Sequence, residues 1–156
     1  MDERLRIVDI LLDEKTVTRR SPEIEHERAV AIFDLLEENY FEPVSGFLGP
    51  FIVELSINEN RLNVRVCDEA SDEILKFDLS LSHFRSVIKD YFLICESYYN
   101  AIKCSSPSKI QAIDMARRAL HNDGSEILAE RIRRYVKVDF DTARQLFTLI
   151  CVLHFR

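Results

Sequence analysis

A chain of 156 residues with 21 Lys and Arg against 27 Asp and Glu, a formal net charge of −6 at pH 7, is near the modal length of one domain and acidic enough to oppose nonspecific attraction to phosphate backbones. Its 47% hydrophobic and 31% charged content, with 3 Gly and 4 Pro, excludes wholesale disorder and long flexible linkers. No apolar run approaches the ~18 to 20 residues that span a bilayer, and the charged opening MDERLRIVD lacks the apolar stretch of a signal peptide, so no membrane partner and a cytoplasmic location are expected. Cys67, Cys95, Cys104 and Cys151 show neither CxxC nor Cys/His ligand spacing and read as reduced thiols; no metal and no cofactor is expected.

Residues 5–12 mix alternation with a continuous apolar run and predict a strand, followed by a charged, turn-prone connection over 13–20. Ser21-Pro22 supplies an N-cap and a first-turn proline, with Glu23 and Glu25 at the positive helix end, and predicts a helix over 22–40. Pro43, Gly46, Gly49 and Pro50 then break regular structure. From Phe51 the period becomes two: Phe51, Val53, Leu55 and Ile57 share a face, as do Leu62, Val64 and Val66 after an Asn58-Glu59-Asn60 turn. Leu75, Phe77, Leu79 and Leu81 continue the meander as a third antiparallel strand, leaving one apolar sheet face to cover.

The covering helices follow. Ser80 or Ser82 starts one reaching Lys103, on which Phe84, Val87, Ile88, Tyr91, Cys95, Tyr98 and Tyr99 share about half the circumference. Ser106-Pro107 launches another to about His121, where Asn122-Asp123-Gly124 reads as a stop; Ser125 then caps a shorter helix to about Tyr135. A short strand over 136–140 precedes a terminal helix capped by Asp139 or Asp141 and apolar almost all round, leaving only Arg144, Gln145 and Thr148 as a polar strip. Such a helix is either the central core helix or half of an oligomer interface. The expected fold is one α+β domain over 1–156: a small antiparallel sheet, the meander 51–81 plus the N-terminal strand at an edge, packed on one face by about five helices.

Chemistry is harder to find. On the first helix the apolar side centres on Ile32 and Leu36, and Glu25 and Arg28 point toward it; an inward charge needs a partner, supplied by each other at i,i+3 or by a neighbouring helix, or else the two edge a pocket as base and anion anchor. His26, flanked by Glu25 and Glu27, lacks the i,i+4 spacing of helical metal ligands. Asp114, Arg118 and His121 form an i, i+4, i+7 row with Arg117 beside it, either a solvated face held by ion pairs or an anion or partner site in which His121 titrates near neutrality. Arg117, Arg118, Arg131, Arg133, Arg134 and Lys137 are interleaved with acids and match no nucleic-acid motif, so nucleic acid is not favoured as a partner. Buried hydroxyls of Tyr91, Tyr98 and Tyr99 would need partners, for which Glu25, Arg28 and Asp114 are candidates. No Ser lies in a GxSxG elbow, and Cys151 with His154 shares a core-like helix unsuited to nucleophilic attack, so no catalytic residue is assigned.

The blocks SPEIEHERAVAIFDLLEEN, VIKDYFLICESYYNAIK, SPSKIQAIDMARRALHNDGS and VDFDTARQLFTLICVLHFR make the chain resemble an uncharacterised protein family of alphaproteobacteria, of unknown function, most clearly over 21–156. The resemblance implies a bacterial cytosolic protein of one domain and carries no activity, cofactor or site residue; Phe155 stands where it implies Trp. The function expected is therefore a non-enzymatic binding or regulatory role through a protein partner or homo-oligomer. The alternative is a small anionic ligand, or an enzyme's substrate, held by Glu25, Arg28, Arg118 and His121, with His26, Asp114 and Arg117 beside them.

Overall fold

The computed structural model describes residues 3–14 and 21–154; most of the connection expected over 13–20, and the aromatic at 155, lie outside them. Strands are β1 (Ile7–Leu12), β2 (Phe41–Pro43), β3 (Phe51–Asn58), β4 (Arg61–Cys67), β5 (Glu73–Ser80) and β6 (Val136–Val138). Helices are α1 (Pro22–Glu37), α2 (Arg85–Cys104), α3 (Pro107–Ile132) and α4 (Phe140–His154), with a 3-10 turn at Leu81–His83 before α2. Two N-caps form as the local sequence requires, the Ser21 hydroxyl accepting from the Ile24 N–H and that of Ser106 from the Lys109 N–H. Between β3 and β4, Glu59 and Asn60 both take positive φ, 51° and 61°, the two-residue turn whose twist suits a hairpin.

The main sheet has the order β1-β3-β4-β5, and β2 pairs with β6 in a separate antiparallel ribbon. The first strand lies at the edge, as expected, but it runs parallel to β3, so the sheet is mixed and not purely antiparallel. The reason is the connection: the chain between β1 and β3 passes through α1, and a crossover of that kind returns the next strand in the same direction. Asn39, just beyond α1, then stands in for a further strand on the free edge of β1. Its Oδ1 accepts from the Ile7 N–H at 2.7 Å, and its Nδ2 donates to the carbonyls of Ile7 at 2.9 Å and Leu35 at 2.7 Å, which closes both the strand edge and the end of α1.

Among the described residues there are four α-helices, not about five, because Asn122-Asp123-Gly124 does not stop α3. Ser125 caps nothing; its hydroxyl donates to the His121 carbonyl within the helix, at 2.7 Å. Gly124 serves packing instead of termination: a Cβ there would lie 2.1 Å from Cζ of Phe147, so only glycine lets α3 cross α4 at this separation. The apolar girdle of α4 is consumed inside the chain, with ten of its residues buried, including every one from Leu146 to Leu153, against α1, α3 and β3. Asp139 caps it, accepting from the Thr142 N–H at 2.9 Å. The outer sheet face is polar and carries the ion pairs Arg61–Asp78 and Arg65–Glu73. Among the described residues no helix is long and apolar enough to cross a membrane.

Gly124→Ala should therefore lower stability although alanine is the better helix former. The overpacked crossing costs roughly 1–3 kcal/mol, against about 1 kcal/mol of propensity gained. In urea denaturation Phe147→Leu in the Gly124→Ala background should recover part of the loss; a higher midpoint for Gly124→Ala alone would rule out the close crossing.

Candidate functional site: a cleft between α1, α2 and α4

Tyr91, Cys95 and Tyr99 follow one another at i, i+4 and i+8, so α2 presents them along one face. That face does not close fully on its neighbours. Ile24 and Glu27 of α1 stand opposite, Cys151 and Val152 of α4 form the floor, and a cleft of about 280 Å³ remains between them. Glu27 is partly buried because it belongs with Ile24, Ala31 and Leu35 on the inward arc of α1. The Tyr99 hydroxyl donates to Glu27 Oε1 at 2.8 Å across the cleft.

The thiols and phenols of the cleft are all shifted in one direction, although Arg117 opposes the shift at Cys95 and Tyr99. Burial, with the Glu27 carboxylate adding to it, pushes the Cys95 thiol up to about 11 and raises Tyr91 well above the usual phenol range. Tyr99 is raised by burial and by its bond to Glu27, and Cys151 by complete burial with further contributions from Cys95 and Glu27. All four groups are thus held protonated and uncharged at neutral pH.

Behind the wall lies His121, buried against the rings of Tyr91, 5.3 Å away, and Phe147, 5.4 Å away. Its Nε2 is 2.7 Å from the Thr148 hydroxyl, which itself donates to the Arg144 carbonyl at 3.2 Å. With the hydroxyl proton so spent, Nε2 must carry the hydrogen and donate, leaving Nδ1 bare and buried without a hydrogen-bond partner. Burial foremost, then the charges of Arg144 and Arg117, lowers the imidazole to about 4. It is neutral at physiological pH and does not titrate there.

The other residues singled out from the sequence have different surroundings. Glu25 and His26 are exposed on α1. Arg28 makes a two-pronged bond to Glu14, at 2.8 and 3.0 Å, so its hydrogen-bonded partner comes from beyond β1 and not from its own helix. Asp114 gathers both Arg117, at 2.6 Å, and Arg118, at 3.0 Å; Arg117 also lies over the Tyr98 ring, 4.7 Å from its centre, while the Arg118 side chain is 68% exposed. The structure thus unites Asp114, Arg117 and Arg118 in one ion-paired group, holds Arg28 with Glu14, and encloses His121 in the core. None of these seven residues is among those lining the cleft. Glu27, Cys95 and Tyr99, which do line it, carry the signal of helical spacing. For Glu27 that signal emerges only when the inward arc of α1 is centred on Ala31 and Leu35 instead of Ile32 and Leu36. Among the described residues no group of three or more His, Cys, Asp or Glu is arranged to hold a metal ion.

Fold and site together define a one-sided α+β protein whose helical layer encloses a small, largely apolar cleft over a buried terminal helix. The chain belongs to the uncharacterised protein family UPF0262, which it matches over residues 4–156. Its relatives include UPF0262 proteins of Rhodospirillum rubrum, 57% identical over 150 residues covering 96% of this chain and 92% of the relative, and of Paramagnetospirillum magneticum, 54% identical over 156 residues covering 100% and 99%. A UPF0262 protein of Rhizobium meliloti is 53% identical over 155 residues, covering 99% of this chain and 98% of the relative. No solved structure matches the chain.

His121 makes stability depend on pH in a defined window. The unfolded imidazole takes up its proton near 6.5 and the folded one only near 4, so the unfolded state binds more protons in between and stability falls as pH drops from about 6.5 to 4. The wild type should lose roughly 2–3 kcal/mol across this interval beyond what His121→Gln loses, measured by urea midpoints at successive pH values. Parallel curves for the two proteins would show that the imidazole is solvated.

Proposed function

We propose that this protein is a non-enzymatic, cytoplasmic binding protein that holds a small molecule in the cleft between α1, α2 and α4. The observation that carries this reading is the cleft itself, an opening with an apolar floor of Cys151 and Val152, left beside a helix that is otherwise packed on every side. Its volume of about 280 Å³ falls just below the range of ligand sites, which run from roughly 300 to 1,000 Å³, and suits a molecule of fragment size. Binding without turnover is supported by the state of the groups that line it. General acid–base and nucleophilic chemistry needs a side chain whose proton is exchangeable near the working pH, whereas here Cys95, Cys151, Tyr91 and Tyr99 are all driven toward their protonated forms. The cytoplasm is supported by four cysteines that form no disulfide.

Cys95 is the position from which to fill the cleft, since it is only partly buried and lies midway along the α2 wall. A ligand-observed NMR screen of a fragment library should yield mutually competing hits on the wild type that vanish on Cys95→Phe, while far-UV circular dichroism and Tm stay close to the wild-type values. Hits that persist undiminished on a folded Cys95→Phe protein would place the binding elsewhere, and a screen without hits would end the reading.

A further inference from the structure

We infer that the molecule held in this cleft is a small organic cation, an amine or ammonium compound with an apolar body, whose charged nitrogen pairs with Glu27; this rests on the binding role proposed above. Glu27 is the carboxylate of α1 that reaches across the cleft to Tyr99, where a partly desolvated charge is costly unless it is paired. The Tyr99 hydroxyl satisfies Oε1 alone, and among the described residues no ion pair engages Glu27. Arg117, which does sense the Glu27 charge, has its guanidinium committed to Asp114, through bonds of 2.6 and 3.1 Å, and to the face of Tyr98. The remaining charges on the cleft wall are Glu23, Glu96 and Lys103, so its formal balance, with Glu27, is three negative to one positive.

The non-polar part of the lining agrees with the same ligand class. Tyr91, Phe92 and Tyr99 offer aromatic surface on one side, and an ammonium group near such rings gains further attraction from their negative faces. Ile24 and Val152 provide apolar surface for the body of the molecule. An anion brought to the same place would face Glu27 with only Lys103 to offset it. The influence of Glu27 reaches Tyr91, Cys95, Tyr99 and Cys151, each of which it pushes toward the protonated form, with Arg117 opposing it at Cys95 and Tyr99, so its negative potential reaches the floor of the cleft.

Three probes of one shape separate charge from fit: phenethylammonium, the neutral 2-phenylethanol, and phenylacetate. Titrated into the full chain and followed by amide shifts of residues lining the cleft, phenethylammonium should bind about tenfold or more tighter than 2-phenylethanol, with phenylacetate weakest. Glu27→Gln should abolish this order while leaving 2-phenylethanol binding near its wild-type level. Tyr99→Phe, which keeps the carboxylate and removes only its hydrogen bond, should retain the preference, so the test survives if Glu27→Gln does not fold. If the neutral or anionic probe binds as tightly as the cation, or the Tyr99→Phe protein shows no preference, the cation assignment is overturned while the cleft remains a binding site. If none of the three shifts the cleft residues, the assignment fails together with the binding role on which it rests.

Discussion

The crossing of α3 over α4 at Gly124 and Phe147 sets the position of nearly everything else. The absence of a side chain at residue 124 brings the two helix axes close enough for the Phe147 ring to lie against the α3 backbone, where it also meets His121 and Tyr91. With α4 held there, its other sides receive α1 and β3, and the apolar surface that would otherwise invite a second chain is used up within one. Removing hydrocarbon from water is the main favourable term in folding a chain of this size, and α4 contributes a dense share of it alongside the sheet and the other helices.

Polar groups inside this core act as positioning devices, each satisfied by a small number of bonds. Asn39 joins the edge of β1 to the end of α1, so the parallel strand and the crossover helix that makes it parallel are tied by one side chain. His121 and Thr148 tie α3 to α4 beside the aromatic cluster, and the threonine's own bond to Arg144 decides which imidazole nitrogen holds the proton. The cost of that arrangement is a bare Nδ1 in the interior, and burial beside Arg144 and Arg117 keeps the imidazole from taking up a proton there.

The cleft is where the packing stops short. α1 meets α4 and α2 meets α3, but α1 and α2 approach each other over a gap bridged by the bond between Tyr99 and Glu27. Burial there, with the Glu27 carboxylate adding to it, governs the neighbouring groups. Two thiols and two phenols are held in neutral form there, in a partly apolar recess that also carries Glu23, Glu27, Glu96 and Lys103.

Much of the local structure is legible in the chain because it depends on residues a few positions apart. The serine-proline caps of α1 and α3, the period-two strands and the left-handed turn at Glu59-Asn60 are all decided by near neighbours, through backbone hydrogen bonds and steric limits that need no tertiary context. By the same route the sequence alone determined an α+β protein with a helix-covered sheet and an intensely apolar last helix. Only the tertiary structure decided the rest, because each remaining point turns on a partner remote in the chain. Gly124 reads as a stop until Phe147 is placed beside it, and the direction of β1 follows from the path through α1. Arg28 donates its hydrogen bonds to Glu14, and His121 leaves the polar row for the core because Thr148, Tyr91 and Phe147 surround it. The cleft is the furthest from the sequence of all, since a void is a property of three helices together: the residues that line it are ordinary members of amphipathic faces until the packing of α4 leaves them without a neighbour.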